Sequence, residues 1–268
     1  MRRTWAPAKI LLVTARGREQ TTPWTLENLA EFVAATAGRP GRVERANAGV
    51  LVASPVPVPN GYFNAAFPFD QAERTRFLDE AEAFFADQKS PFVLWAPETF
   101  PDLIEAAEAR SSGAAPDSSP QMVIRTTPPA RSTLTIREVG LDADSTLFAQ
   151  LCEAGYQTPG LAWILDRHDA FGAPGTTWAI AFDGGKPLGV GCGFVSGETG
   201  GVFYVATPPA TARRGAAAAI TTWLTAELFA RDAKLVTLQA SDQGLPVYER
   251  LGFTEQVRLR RFTFEAAS

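Results

Sequence analysis

Residues 205–253 read VATPPATARRGAAAAITTWLTAELFARDAKLVTLQASDQGLPVYERLGF, and the order of elements in them decides the fold. The strand ending at Thr207 stops against Pro208 and Pro209, which cannot donate to a neighbouring strand, so the sheet should open there and leave backbone groups free. A helix over 213–231 follows, then a strand over 234–240, a short helix near 244–251 and a last strand over 253–264. The first turn of the long helix has unpaired N–H groups at the positive end of the helix dipole and can hold an anion if the backbone comes close. Gly215 and Ala217 permit that approach, Ala218 and Ala219 keep the side chains small, and Arg213 and Arg214 supply opposing charge. The plainer alternative is a surface helix whose alanines favour helicity and whose arginines are solvated. The two prolines before the turn favour the anion site.

Upstream of this stretch, TLTIREV alternates as a strand, and Asp144 to Asp166 has helical spacing interrupted at Thr158-Pro159-Gly160, which gives two helices with a bend. TTWAIAFD, KPLGVGCGFVS and GVFYVAT, separated by glycine turns, read as an antiparallel meander. Strands flanking one long crossover helix predict an α/β (α+β) class, with a mixed, mostly antiparallel central sheet flanked by helices.

The first half repeats the plan in worn form. Strand, proline, helix, strand and helix recur in FNAAFPFDQAERTRFLDEAEAFFADQKSPFVLWAPETFPDLIEAAEAR, with Phe63–Phe67 set against Phe203–Thr207, Gln71–Ala86 against the long helix, and FVLWA at 92–96 against LVTLQ at 235–239. No glycine stands in the first turn and no tyrosine in its final helix. Gly/Ser/Pro clusters break the segment from Arg110 to Ser132, leaving QMVIR as a short strand between them. The second cluster places a boundary at 126–131, giving two tandem domains, 1–128 without the turn and 129–268 with it.

Composition narrows the function classes. A chain of 268 residues suits one large or two ordinary domains, and a net charge of −4 without a basic face excludes a typical nucleic-acid binder. No stretch approaches the roughly 20 apolar residues of a membrane helix, and MRRTWAPAKILLVTARG is too short in its apolar run for a signal peptide. The expectation is a soluble, cytoplasmic protein, monomer or homodimer, with no membrane partner. Cys152 and Cys192 have no neighbours that suggest a metal site or redox pair and read as buried thiols.

The 205–253 pattern resembles the acyl-CoA core of the GCN5-related N-acetyltransferases. Their turn carries Arg or Gln, two residues, Gly, one residue, then Gly or Ala; here Ala212 departs at the first position, and Arg213, Arg214, Gly215, Ala216 and Ala217 supply the rest. The resemblance implies acetyl-CoA as cofactor, held at this turn and along the backbone at Val205 and Thr207. It also implies an Asn, here Ser241, after the next strand, and then Tyr248 before Gly252-Phe253. Tyr248 is then the acid that protonates the leaving sulfur, since a phenol near pKa 10 holds its proton at neutral pH. Its structural alternative is an aromatic packed beside Leu251 and Phe253.

For the base the candidates are Glu198, near the family's glutamate position at Gly201, and His168, the only histidine; deprotonation through water is the other route. Tyr156, Trp163 and Phe171 could wall an acceptor groove, and Cys192 could serve a two-step route but reads as buried core. The implied activity is acetyl transfer to a primary amine of a small molecule or peptide by direct attack, with no metal. A non-catalytic acyl-CoA sensor or pseudoenzyme is the alternative, favoured by Ala212 and the missing base. A nucleotide module lacks the P-loop Lys-Ser/Thr and the dinucleotide fingerprint.

Overall fold

The computed structural model describes residues 21–37, 41–46, 48–56, 58, 63–69, 74–112, 117–129, 131–140, 143–167 and 169–266. The first half contains α1 (Thr21–Thr36), β1 (Arg42–Ala46), β2 (Gly49–Ala53), β3 (Ala65–Pro68), α2 (Arg74–Asp87), β4 (Phe92–Pro97), α3 (Pro101–Arg110) and β5 (Asp117–Ile124). The second contains β6 (Thr135–Glu138), α4 (Ala143–Tyr156), α5 (Leu161–Arg167), β7 (Thr176–Asp183), β8 (Lys186–Ser196), β9 (Thr199–Ala206), α6 (Ala216–Ala230), β10 (Leu235–Gln239), α7 (Leu245–Leu251) and β11 (Thr254–Phe264).

The described strands form one eleven-stranded sheet in the order β1-β2-β3-β4-β11-β5-β10-β9-β8-β7-β6. Only β3–β4 and β9–β10 run parallel, as a single crossover helix between two strands requires. The sequence plan recurs as topology: β3-α2-β4-α3-β5 and β9-α6-β10-α7-β11. The two units exchange their last strands. β5 lies against β10, β11 lies against β4, and the two pair with each other from Thr254↔Val123 to Arg261↔Asp117.

β5 is longer than the QMVIR strand of the sequence reading. It begins at Asp117 and passes through Pro120, which is opposite Arg258 of β11. A proline is tolerated because β10 ends at Gln239; beyond it the Ala240 N–H donates to the Pro120 carbonyl at 3.0 Å.

Helix α6 buries Ala216, Ile220, Leu224 and Leu228 at a spacing of four. That stripe lies on Gly191 and Gly193 of β8. A Cβ built at Gly191 would overlap Ile220 Cγ2, and one at Gly193 would lie 3.3 Å from Leu224, so the glycines let the helix approach the sheet closely. On the opposite face, α1 crosses β8 and β9. Phe32 stacks on Phe203 at 3.9 Å and meets Phe194 and Tyr204, and the Asn28 Nδ2 donates to the Thr199 carbonyl at 2.9 Å. A helix of the first half thus covers strands of the second. Fully burying each such phenylalanine contributes about 1.5–3 kcal/mol.

Candidate functional site

β9 and β10 are in register from Leu235↔Thr199 to Thr237↔Gly201 and then part. β10 goes on with β5 through Leu238↔Met122 and Gln239↔Gln121, while β9 goes on with β8 to Ala206. The cause of the parting lies in β9. Its register with β8 jumps between Val190↔Ala206 and Cys192↔Phe203, one extra residue on the β9 side, and Tyr204 takes a left-handed φ of 52°. Such a bulge bends the strand and raises its twist. A bulky residue in that region costs on the order of 1–3 kcal/mol, offset here because the Tyr204 ring stacks on Trp178 at 5.8 Å and meets Phe32 at 5.7 Å. Burial, and then the neighbouring Cys152 and Cys192, push the Tyr204 phenol well above its ordinary pKa. Tyr204 was not legible as a site residue, since one sequence carries no bulge signal at FYV.

Val205 and Thr207 sit half-buried at the end of β9, where the edge turned towards β10 carries no strand. Gly155 of α4 backs this end: a Cβ there would lie 2.8 Å from Ala206 Cβ and 3.0 Å from the Thr207 nitrogen. After Pro208 comes a 3-10 turn, Pro209–Thr211, pinned by the Thr211 hydroxyl, which donates to the Leu188 carbonyl at 2.7 Å.

Ala212 is extended and exposed, Arg213 (φ 60°) and Gly215 (φ 78°) are left-handed, and α6 starts at Ala216. A Cβ at Gly215 meets nothing within 4 Å, so the glycine is required by φ and the space before the helix is open. The first helical bond is Ala219 N–H to the Gly215 carbonyl at 3.0 Å. Among the described residues, no backbone carbonyl takes the N–H groups of Ala216, Ala217 or Ala218.

The two arginines differ. Arg214 Nη2 is ion-paired with Asp183 Oδ2 at the end of β7, whereas Arg213 has no ion pair among the described residues and is exposed.

Tyr248 is 7% exposed in α7. Its ring packs over Gly244, where a Cβ would lie 2.9 Å from Cε2, and presents its edge to Phe253 at 6.1 Å. Gly252 (φ 95°) caps the helix, and the Phe253 N–H returns to the Tyr248 carbonyl at 3.0 Å. Burial pushes the phenol up to about 12. Its hydroxyl makes no hydrogen bond among the described residues. Ser241 is spent locally: its hydroxyl oxygen accepts the Gly244 N–H at 3.2 Å and its carbonyl accepts the Leu245 N–H at 2.8 Å, which starts α7.

Other expectations fall away from this centre. Glu198 is exposed at the β8–β9 tip, at the start of β9, and its carbonyl receives the Lys234 N–H at 2.7 Å; the strand between it and Phe203 spans roughly 17 Å at ~3.3 Å per residue. His168 lies outside the described residues. Cys192 is fully buried with its thiol pushed well above its ordinary pKa by desolvation, so no thiolate is present there. Phe171 packs against Phe148 and Trp178, while Tyr156 and Trp163 are exposed. Among the described residues there is no cluster of three potential metal ligands, and no helix is long and apolar enough to cross a membrane.

The parted parallel strands leave free backbone groups on β9 beside the open, glycine-capped start of α6. Residues 145–253 match the family model described as the Acetyltransferase (GNAT) family. No curated protein matches the chain in sequence. Among solved structures, a GCN5-related N-acetyltransferase from Kribbella flavida is similar over 89% of this chain and 96% of its own, with a TM-score of 0.66 at 18% identity. One from Sphaerobacter thermophilus covers 92% and 94% with a TM-score of 0.61 at 15% identity. A tandem GNAT protein from the clavulanic acid biosynthesis pathway covers 94% and 98% with a TM-score of 0.60 at 11% identity. These likenesses are of fold.

Proposed function

We propose that this protein is an acetyl-CoA-dependent N-acetyltransferase acting on a primary amine by direct attack, with its working site in a domain formed by residues 129–268. The first half, 1–128, is on this reading a GNAT-like domain that has lost its cofactor turn. The observation that carries the reading is the parting of β9 and β10 beyond Gly201↔Thr237, next to the open Gly215 turn.

The residues fit coenzyme A. Free N–H groups at Ala216–Ala218, with Arg213 beside them, suit a diphosphate, and the unpaired edge of β9 at Val205 and Thr207 suits the amides of the pantetheine arm. Ala212 and Ser241 contribute backbone and shape rather than a gripping side chain. Acetyl-CoA supplies the acyl group as a thioester. Tyr248 keeps its proton at neutral pH and can donate it to the leaving sulfur. A free phenol lies about 1.5 pKa units above a thiol, a gap of about 2 kcal/mol. Burial raises a thiol in the same cleft as it raises the phenol, so the gap does not widen in proportion to the Tyr248 shift.

A cytoplasmic monomer or homodimer accords with two buried, unpaired cysteines. Binding without turnover is the second reading, favoured by the lack of a placed base: neither Glu198 nor Cys192 can serve. Thiol release from acetyl-CoA across an amine panel separates the two. Sustained release that falls roughly 100-fold in Tyr248→Phe supports catalysis; binding with no release by the wild type supports the sensor.

A further inference from the structure

The first half of the chain places α1 on β9 where that strand is about to part from β10. Asn28 and Phe32, one turn apart on the helix, are both buried against it. The Asn28 Nδ2 donates to the Thr199 carbonyl at 2.9 Å and fixes α1 to the start of the strand. Gly201 gives the helix its seat, since a Cβ there would overlap both Asn28 Oδ1 and the Phe203 ring. Phe203 therefore leans back over Gly201 and lies flat against Phe32, with ring centroids 3.9 Å apart and planes 4° from parallel.

The next residue is the strained one. Tyr204 holds φ at 52°, and a bulky side chain persists in that region only where its surroundings over-determine it. Trp178 of β7 supplies one support by stacking on the Tyr204 ring at 5.8 Å, and Phe32 supplies another by meeting it edge-on at 5.7 Å. Phe203 and Tyr204, the two residues that make the bulge, thus both rest on one side chain from the first half.

The same sheet displays the closed alternative. β3 keeps an unbroken register with β2, and its Phe67 reaches across the gap to stack on Trp95 at 6.1 Å. A Phe203 released from Phe32 has the same move open to it, towards β10, and Tyr204 would shed its strain by returning to an extended φ. The free edge of β9 would be lost with the bulge.

We propose that the first half acts as a splint for the acetyl-CoA site, with Phe32 as its positioning residue: it holds Phe203 aside and Tyr204 in the bulge, and so keeps β9 and β10 apart. The proposal rests on the acetyl-CoA reading of that site. It gives the half without a cofactor turn a task in the reaction. It also makes binding conditional, because a site open in only a fraction of the molecules binds with its intrinsic Kd divided by that fraction.

The test is the acetyl-CoA Kd of the full chain by calorimetry, with denaturant unfolding alongside, for the wild type, Phe32→Leu and Phe85→Leu. Phe85 is the matched control: it is buried in the first half on the opposite face of the sheet and stacks on Phe92 at 4.4 Å. Both substitutions remove one stacked ring and should lower stability alike. Phe32→Leu should weaken acetyl-CoA at least about tenfold, which leaves the site open in roughly one molecule in ten, while Phe85→Leu should change the Kd by less than about twofold. Coupling is reciprocal, so acetyl-CoA should slow amide exchange across Leu29–Val33 of the wild type and leave α2 unchanged, a readout that needs no variant to fold. Equal Kd shifts in the two variants, an unmoved Kd in folded Phe32→Leu, or unchanged exchange in α1 overturns the splint alone. A wild type that does not bind acetyl-CoA overturns the cofactor reading, and the splint falls with it.

Discussion

The two parallel strand pairs of the sheet are built alike and end differently. β3 and β4 are in register at Ala65↔Val93 and Ala66↔Leu94, and β9 and β10 up to Gly201↔Thr237, which faces α1 as Ala65↔Val93 does. Beyond that point the first gap is filled: Phe67 and Trp95, 0% and 5% exposed, stack with ring centroids 6.1 Å apart. At the matching places the second gap has Phe203, drawn aside onto Phe32, and Gln239, an amide whose N–H has no partner among the described residues. Trp95 against Gln239, together with the bulge at Tyr204 that draws β9 aside, distinguishes the closed pair from the parted one.

The largest effect should come from opening the closed gap. Trp95→Gln should cost roughly 3 kcal/mol of unfolding free energy, as large-to-small core changes do, read by denaturant unfolding, and should create no second acetyl-CoA site because that half has no glycine turn. The converse, Gln239→Trp, should fill the second gap and weaken acetyl-CoA binding at least ~100-fold, about 2.7 kcal/mol by calorimetry, while the circular dichroism spectrum stays native. A Gln239→Trp protein that still binds normally would break the comparison.

The sequence made part of this contrast legible and hid the rest for a physical reason. The order of elements and the glycine turn were readable because prolines, glycine and an alanine run act locally. The repeat was found but misregistered: setting FVLWA over LVTLQ aligns Trp95 with Leu238, and Phe63–Phe67 with Phe203–Thr207. In the fold, side-chain faces align Ala65–Phe67 with Gly201–Phe203 and Trp95 with Gln239, because Trp95 faces α1 while Leu238 faces α6. A shift of one residue exchanges the faces of a strand, and nothing local fixes it. The bulge at Tyr204, the Arg214–Asp183 pair and the arrival of Asn28 over Gly201 are long-range contacts that no spacing rule encodes.

Tyr248 offers a pH test of how dry its cleft is. Its folded-state pKa of about 12 is raised above the ordinary phenol value of 10, so the native state holds that proton more tightly. The associated stability is complete below pH 10 and is lost as pH rises towards 12, on the order of 2–3 kcal/mol, and Tyr248→Phe should flatten that part of the stability curve. The smallest effect should separate the arginines. Arg213→Glu should weaken acetyl-CoA about tenfold, roughly 1.4 kcal/mol, and Arg214→Ala by less, since its charge is shared with Asp183.

Hydrogen–deuterium exchange with and without acetyl-CoA tests the central claim most directly, because it reads both gaps in one protein. The account predicts slowed exchange at Val202–Thr207 and at Ala216–Ala218, with β3 and β4 unchanged. Protection at Ala65–Phe69 and Phe92–Pro97 instead, or equal protection of both pairs, would contradict it.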